Sequence, residues 1–147
     1  MESHEMLERK FAAWNGLDPA GMVACSSGTA ALHLALEALR LPPGSEVIVP
    51  DFAMIACARA VTLAGLEPVF VNCGDDLLMD GSLNSVVTDN SVGAVMYVHT
   101  YGRRCYIPDG WGFDEPWIIE DLAEAHGVRP HLRTDAACWS FYRNKIV

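Results

Sequence analysis

Apolar residues along this chain fall in short uninterrupted runs, separated by longer stretches in which they recur every three or four positions. The runs are "MVAC" (22–25), "EVIVP" (46–50), "PVFVN" (68–72), "AVMYVH" (94–99), "WIIED" (117–121) and "ACWSF" (137–141). They are apolar throughout instead of alternating, the pattern of strands buried on both faces of a parallel sheet. After the first run, "GTAALHLALEALRL" (28–41) puts Leu32, Ala35, Leu36 and Leu39 on one helical stripe, and "PPG" (42–44) stops it. "AMIACARAVTLAG" (53–65) predicts a second helix, with Met54, Cys57, Ala58 and Val61 on one face and Gly65 as its C-cap. The strand–helix–strand order predicts an α/β fold, a mostly parallel sheet flanked by helices. Residues 103–116 and 127–136 have no helical period and predict loops.

Ligands of open α/β sheets bind beyond the carboxyl ends of the strands. Three segments there carry candidate chemistry. "SSGT" (26–29) opens the first helix. Ser27 suits an N-cap. The same helix start, with free N–H groups and a close-approach glycine at Gly28 beside the Thr29 hydroxyl, suits a phosphate. Neither a dinucleotide fingerprint nor a P-loop signature is present. "WIIEDLAEAHG" sets Asp121 and Glu124 at the end of a very apolar strand. A carboxylate there calls for a cation. The two acids also fit a helix start with Asp121 as cap and Glu124 closing a capping box, and the readings are compatible. Finally, Lys145 follows the last apolar run. Lysine is ordinarily a solvated charge, but a desolvated lysine loses its proton and attacks carbonyls. A phosphate anchor, a carboxylate at depth and an imine-forming lysine together match pyridoxal 5′-phosphate.

Composition narrows the alternatives. A chain of 147 residues with 51% hydrophobic content fits one domain with a sizeable core. Its net charge of −9 argues against nucleic acid as a partner. The five cysteines are odd in number and lack a C-x-x-C, so neither a disulfide framework nor a metal site is expected. No apolar run reaches membrane-spanning length and the N-terminus has no signal-peptide pattern, so a cytoplasmic protein is expected.

The segments "SSGTAALHLALEAL", "EVIVPDFAMIA", "GLEPVFV", "VHTYG", "IIEDLAEAHG" and "SFYRNK" resemble the successive motifs of the DegT/DnrJ-type sugar aminotransferases. These are fold-type I pyridoxal-phosphate enzymes that aminate nucleotide-linked keto-sugars, usually with glutamate as donor. The Ser27 hydroxyl is a further candidate donor to the phosphate, and the resemblance implies that Gly28, Thr29 and Ser140 hold the phosphate, Asp121 pairs with the pyridine nitrogen, and Glu124 lies near the ring hydroxyl. Lys145 would carry the Schiff base, and a lysine there, where related sugar dehydratases have histidine, implies transamination. Met54 stands where many members stack an aromatic on the cofactor ring. Several features depart from the family: the spacing from Asp121 to Lys145 is short, and 103–116 replaces a usual helix. Beyond the lysine the family continues with a Gly-rich turn, an antiparallel strand between the first and last strands seen here, a substrate-binding region and a small C-terminal domain. Residues 1–147 would then be the cofactor-binding portion of a truncated large domain, with the small domain absent and a gap between the "MVAC" and "ACWSF" strands. A homodimer or a complementing chain is implied for catalysis; the alternative is a catalytically silent remnant or interaction module. His99 and His126 are candidate general bases for a different pyridoxal reaction, such as dehydration or decarboxylation, or ordinary polar residues after strands.

Overall fold

The computed structural model describes residues 3–79, 83, 92–110 and 115–145. Among these residues five strands, β1 Glu46–Pro50, β2 Glu67–Val71, β3 Val92–Val98, β4 Trp117–Asp121 and β5 Ala136–Cys138, form one all-parallel sheet in the order β2-β1-β3-β4-β5. The helices are α1 Ser3–Asn15, α2 Gly28–Ala38 and α3 Ile55–Leu63. Alternate residues of β1, β3 and β4 enter two cores. Val47, Val49, Ala94, Met96, Ile119 and Cys138 meet Leu32 and Leu36 of α2 and Cys57, Ala60 and Val61 of α3. On the reverse face Ile48, Val95, Tyr97 and Ile118 pack with Leu78, Met79, Leu83, Cys105 and Ile107. Both faces are therefore covered, as unbroken apolar strands require.

The stripe read from α2 is the one it buries: Leu32 and Leu36 are inside and Ala35 and Leu39 pack at the margin. Leu36 is 1% exposed. Leu36→Ala will lower the unfolding free energy by about 2–5 kcal/mol, the cost of a vacated leucine site. Urea titration should show it as a lower midpoint with the slope unchanged. α3 is shorter than 53–65. It buries Cys57, Ala60 and Val61, whereas Met54, expected on that face, is its N-cap and exposed. Gly65 does end it: at φ 71 it lets its own N–H reach the Thr62 carbonyl and the Leu66 N–H reach that of Val61, a Schellman closure. The 103–116 and 127–136 stretches carry no helix among the described residues; 111–114 lie outside them.

Three expectations change. Residues 22–25 are extended but are not a strand among the described residues, because no neighbour offers a ladder; the Ala24 N–H instead donates to Glu8 Oε1 at 2.7 Å. β5 stops at Cys138, so Trp139 to Phe141 run beyond the sheet. And α1, which the strand–helix pattern did not mark, is held by tertiary contact: Phe11 packs edge-on against Trp139 (5.2 Å) and Phe141 (5.1 Å). No helix among the described residues is long and apolar enough to cross a membrane.

Candidate active site

The carboxyl ends of β3, β4 and β5 and the N-terminus of α2 open onto one cleft of about 1210 Å3, bounded on one side by the extended residues 22–25. With residues 22–25 outside the sheet, β5 is an edge strand among the described residues. Ser27, Gly28, Thr29, Met54, Asp121, Glu124, Ser140 and Lys145 all line it. At the α2 start, Ser27 Oγ accepts the Ala30 N–H at 3.1 Å, an N-cap that spends one hydroxyl on the helix. The first N–H groups of the helix, from Gly28 onward, have no intrahelical acceptor. Gly28 lies hard against Ser140: a Cβ on it would sit 3.0 Å from Ser140 Cβ. Only glycine lets these two chain segments close on one point.

Asp121 is buried at the end of β4. Its Oδ2 accepts the Cys57 thiol at 3.2 Å and its Oδ1 accepts the Ala123 N–H at 2.9 Å. Burial pushes its carboxyl above the usual range, against those hydrogen bonds and the nearby Lys145 charge. Burial and the same carboxylate push up the Cys57 thiol, and they raise Cys138 to about 12. Asp121 therefore sits between two un-ionised thiols, in a place that favours a cation.

The helix expected after Asp121 does not form: residues 122–130 make successive turns. Glu124 is drawn away from the capping-box geometry. Its Oε1 lies 2.9 Å from Lys145 Nζ and its Oε2 accepts the Tyr101 N–H at 3.2 Å. Burial alone would raise the Glu124 carboxyl, but these two donors and the lysine charge hold it below its usual value. Glu120 is likewise held low despite burial, by His99, the Thr134 hydroxyl and the His131 N–H.

Both glutamates ionise more readily folded than unfolded. Their contribution to stability is present above the unfolded carboxylate pKa and is lost as pH falls through the lower folded values. Asp121 has the opposite sign, favouring the fold only while protonated. Acid urea titrations should show falling stability across the carboxylate range, and Glu124→Gln should flatten that limb. An unchanged slope in the variant would remove Glu124 from the pH response.

Sequence reasoning missed Cys57 as a donor to Asp121, the Tyr101 N–H as a donor to Glu124, and the pairing of His99 with Glu120. Alternation marked none of them, because each contact joins distant segments. His99 has both ring nitrogens engaged, with Glu120 at 2.6 Å and the Cys105 N–H at 3.0 Å, which favours its reading as an ordinary polar residue after a strand over that as a general base. His126 is buried, edge-on to Phe11 and Phe141. Among the described residues no group of three or more His, Cys, Asp or Glu is placed to hold a metal ion.

A family model described as the DegT/DnrJ/EryC1/StrS aminotransferase family matches residues 2–147. The chain belongs to this family. Its similar relatives include the GDP-perosamine synthase of Caulobacter vibrioides, 38% identical over 149 residues, which cover 95% of this chain and 40% of that protein. The UDP-N-acetyl-3-dehydro-alpha-D-glucosamine 3-aminotransferase of Acidithiobacillus ferrooxidans is 36% identical, with the same coverage. Among solved structures, DesV of S. venezuelae matches 99% of this chain and 41% of its own, with TM-score 0.78 and 32% identity. A Streptococcus pneumoniae protein in its PLP-form matches with TM-score 0.82 and 26% identity over 99% of this chain and 43% of its own. This DegT/DnrJ-family chain thus spans about 40% of the length of the curated relatives it matches. Its parallel sheet is that of the fold-type I aminotransferases, and the family's cofactor is pyridoxal 5′-phosphate.

Proposed function

We propose that residues 1–147 are the cofactor-binding portion of an aminotransferase that moves an amino group from glutamate to a nucleotide-linked keto-sugar. The observation that carries this reading is the placement of Lys145 on the same cleft as buried Asp121 and the Gly28–Ser140 seam. The relatives named as nucleotide-sugar aminotransferases support the substrate class.

The residues present fit the cofactor. The start of α2, with Gly28, Thr29 and the Ser140 hydroxyl, offers N–H and O–H donors to a phosphate. Asp121, buried with no cation acting on it among the described residues beyond the Lys145 amine, suits a protonated ring nitrogen, and the Cys57 thiol orients its Oδ2. Met54, exposed at the N-terminus of α3, supplies an apolar, adaptable surface for a ring face. Glu124 holds the Lys145 amine inside the cleft and is placed to accept a proton from it. When bound, pyridoxal phosphate supplies an aldehyde that couples to amines and a ring that withdraws electrons. A second copy or a complementing chain completes the substrate side of the cleft.

The test is turnover. The chain loaded with pyridoxal phosphate is given glutamate and a panel of nucleotide-linked keto-sugars, and mass spectrometry follows amino-sugar and 2-oxoglutarate together. Formation of both supports the reading. A chain that takes up the cofactor yet aminates none of the sugars, also with the remaining portion of a relative added, favours the silent module instead.

A further inference from the structure

The buried pair of His99 and Glu120 has no part in the roles assigned above. His99 Nε2 lies 2.6 Å from Glu120 Oε2, and His99 Nδ1 accepts the Cys105 N–H at 3.0 Å. A ring nitrogen that accepts a backbone N–H carries no proton, so the imidazole is neutral and donates its one N–H, from Nε2, to Glu120. Glu120 Oε1 accepts the His131 N–H at 2.6 Å and the Thr134 hydroxyl. One fully buried carboxylate thus gathers donors from two separate loops.

Both loops lead to the cleft. In the first, the His99 ring closes residues 99–105. Tyr101, at φ 54 inside that loop, gives its N–H to Glu124, whose other oxygen holds Lys145. The second loop runs from His131 and Thr134 into β5, and the chain then continues through Ser140 to Lys145. We propose that Glu120 is a positioning residue of this site: from the reverse face of the sheet it fixes both loops, and so sets Glu124 and, through it, Lys145. This inference rests on Lys145 being the residue that takes the cofactor.

Glutamine is a sharp probe at this position because each carboxylate oxygen is an acceptor. In Glu120→Gln the amide NH2 must face either the His99 N–H or the His131 N–H and Thr134 hydroxyl, so one side always meets donor with donor. His99→Asn is the second variant: its oxygen can still accept from Cys105 and keep the loop closed, but it loses the link to Glu120. Two readouts are taken, each under conditions where circular dichroism shows the variant folded. The first is hydrogen exchange at the Tyr101 amide in the cofactor-free chain. The second is the ratio of borohydride-trapped pyridoxal phosphate on Lys145 to that on exposed Lys10.

Exchange at Tyr101 should speed up, and the Lys145-to-Lys10 ratio should fall by about ten- to hundredfold, the usual cost of loosening an outer support of a site. Wild-type values for both readouts in folded variants would overturn the proposal, leaving Glu120 a purely structural residue. Absence of any Lys145 adduct in the wild type would instead overturn the cofactor assignment. The exchange arm, which needs no cofactor, would then decide alone whether Glu120 sets the Tyr101 loop.

Discussion

Lys145→Arg will leave the chain folded and unable to take pyridoxal phosphate covalently. The chain has two lysines, Lys10 on exposed α1 and Lys145, whose side chain is 13% exposed in the cleft. Arginine keeps a cation beside Glu124 but stays protonated at any working pH, so it offers no nucleophile. The ion pair with Glu124 therefore persists while the chemistry is lost. After borohydride reduction, peptide mapping should find the wild-type adduct on Lys145 and only background on the variant. Any amination should fall by about three orders of magnitude or more, the scale on which covalent catalysis loses its nucleophile. An adduct of wild-type yield in Lys145→Arg would place the reactive amine elsewhere.

Asp121→Asn should separate cofactor affinity from the stability of the cofactor-free chain. In the absence of a ring cation, the buried carboxylate is a cost to the fold, which is why its carboxyl is pushed up. Asparagine keeps an oxygen for the Ala123 N–H, and the Cys57 thiol can turn to accept from its NH2. The unfolding midpoint of the cofactor-free variant should therefore match the wild type or exceed it. Cofactor affinity should move the other way. Leaving a protonated ring nitrogen without its carboxylate costs about 2–5 kcal/mol, a loss of roughly thirtyfold to several thousandfold in Kd. Titration of pyridoxal phosphate by absorbance measures this. Equal affinity in the two proteins would mean that Asp121 does not face the ring.

Much of the sheet was legible because β1, β3 and β4 are buried on both sides, so their apolar runs survive in one dimension. The segment 22–25 has the same composition but no ladder partner, and composition cannot reveal a missing neighbour. α1 was hidden because its buried face is short, Phe11, Ala12 and Asn15, and the partners of Phe11, Trp139 and Phe141, lie at the far end of the chain. The capping box after Asp121 failed for a related reason: Glu124 had stronger partners in Lys145 and the Tyr101 N–H than the backbone beside it. The eight candidate residues share one cleft because strand ends converge in any parallel sheet. The contacts that orient them were not, since Cys57 with Asp121, and His99 with Glu120, join positions 64 and 21 residues apart.

Glu120 and Asp121 are neighbours on β4, yet one is tied behind the sheet and the other looks into the cleft. Their division of labour depends only on the two-residue pleat. A single-codon insertion or deletion within β4 would turn each acid to the other face of the sheet: an insertion would bring Glu120 to the position that faces the cleft, and a deletion would bring Asp121 to the position beside His99. The length of that one strand therefore assigns each acid its face, and length variation between relatives is expected in the loops flanking β4 and not within it.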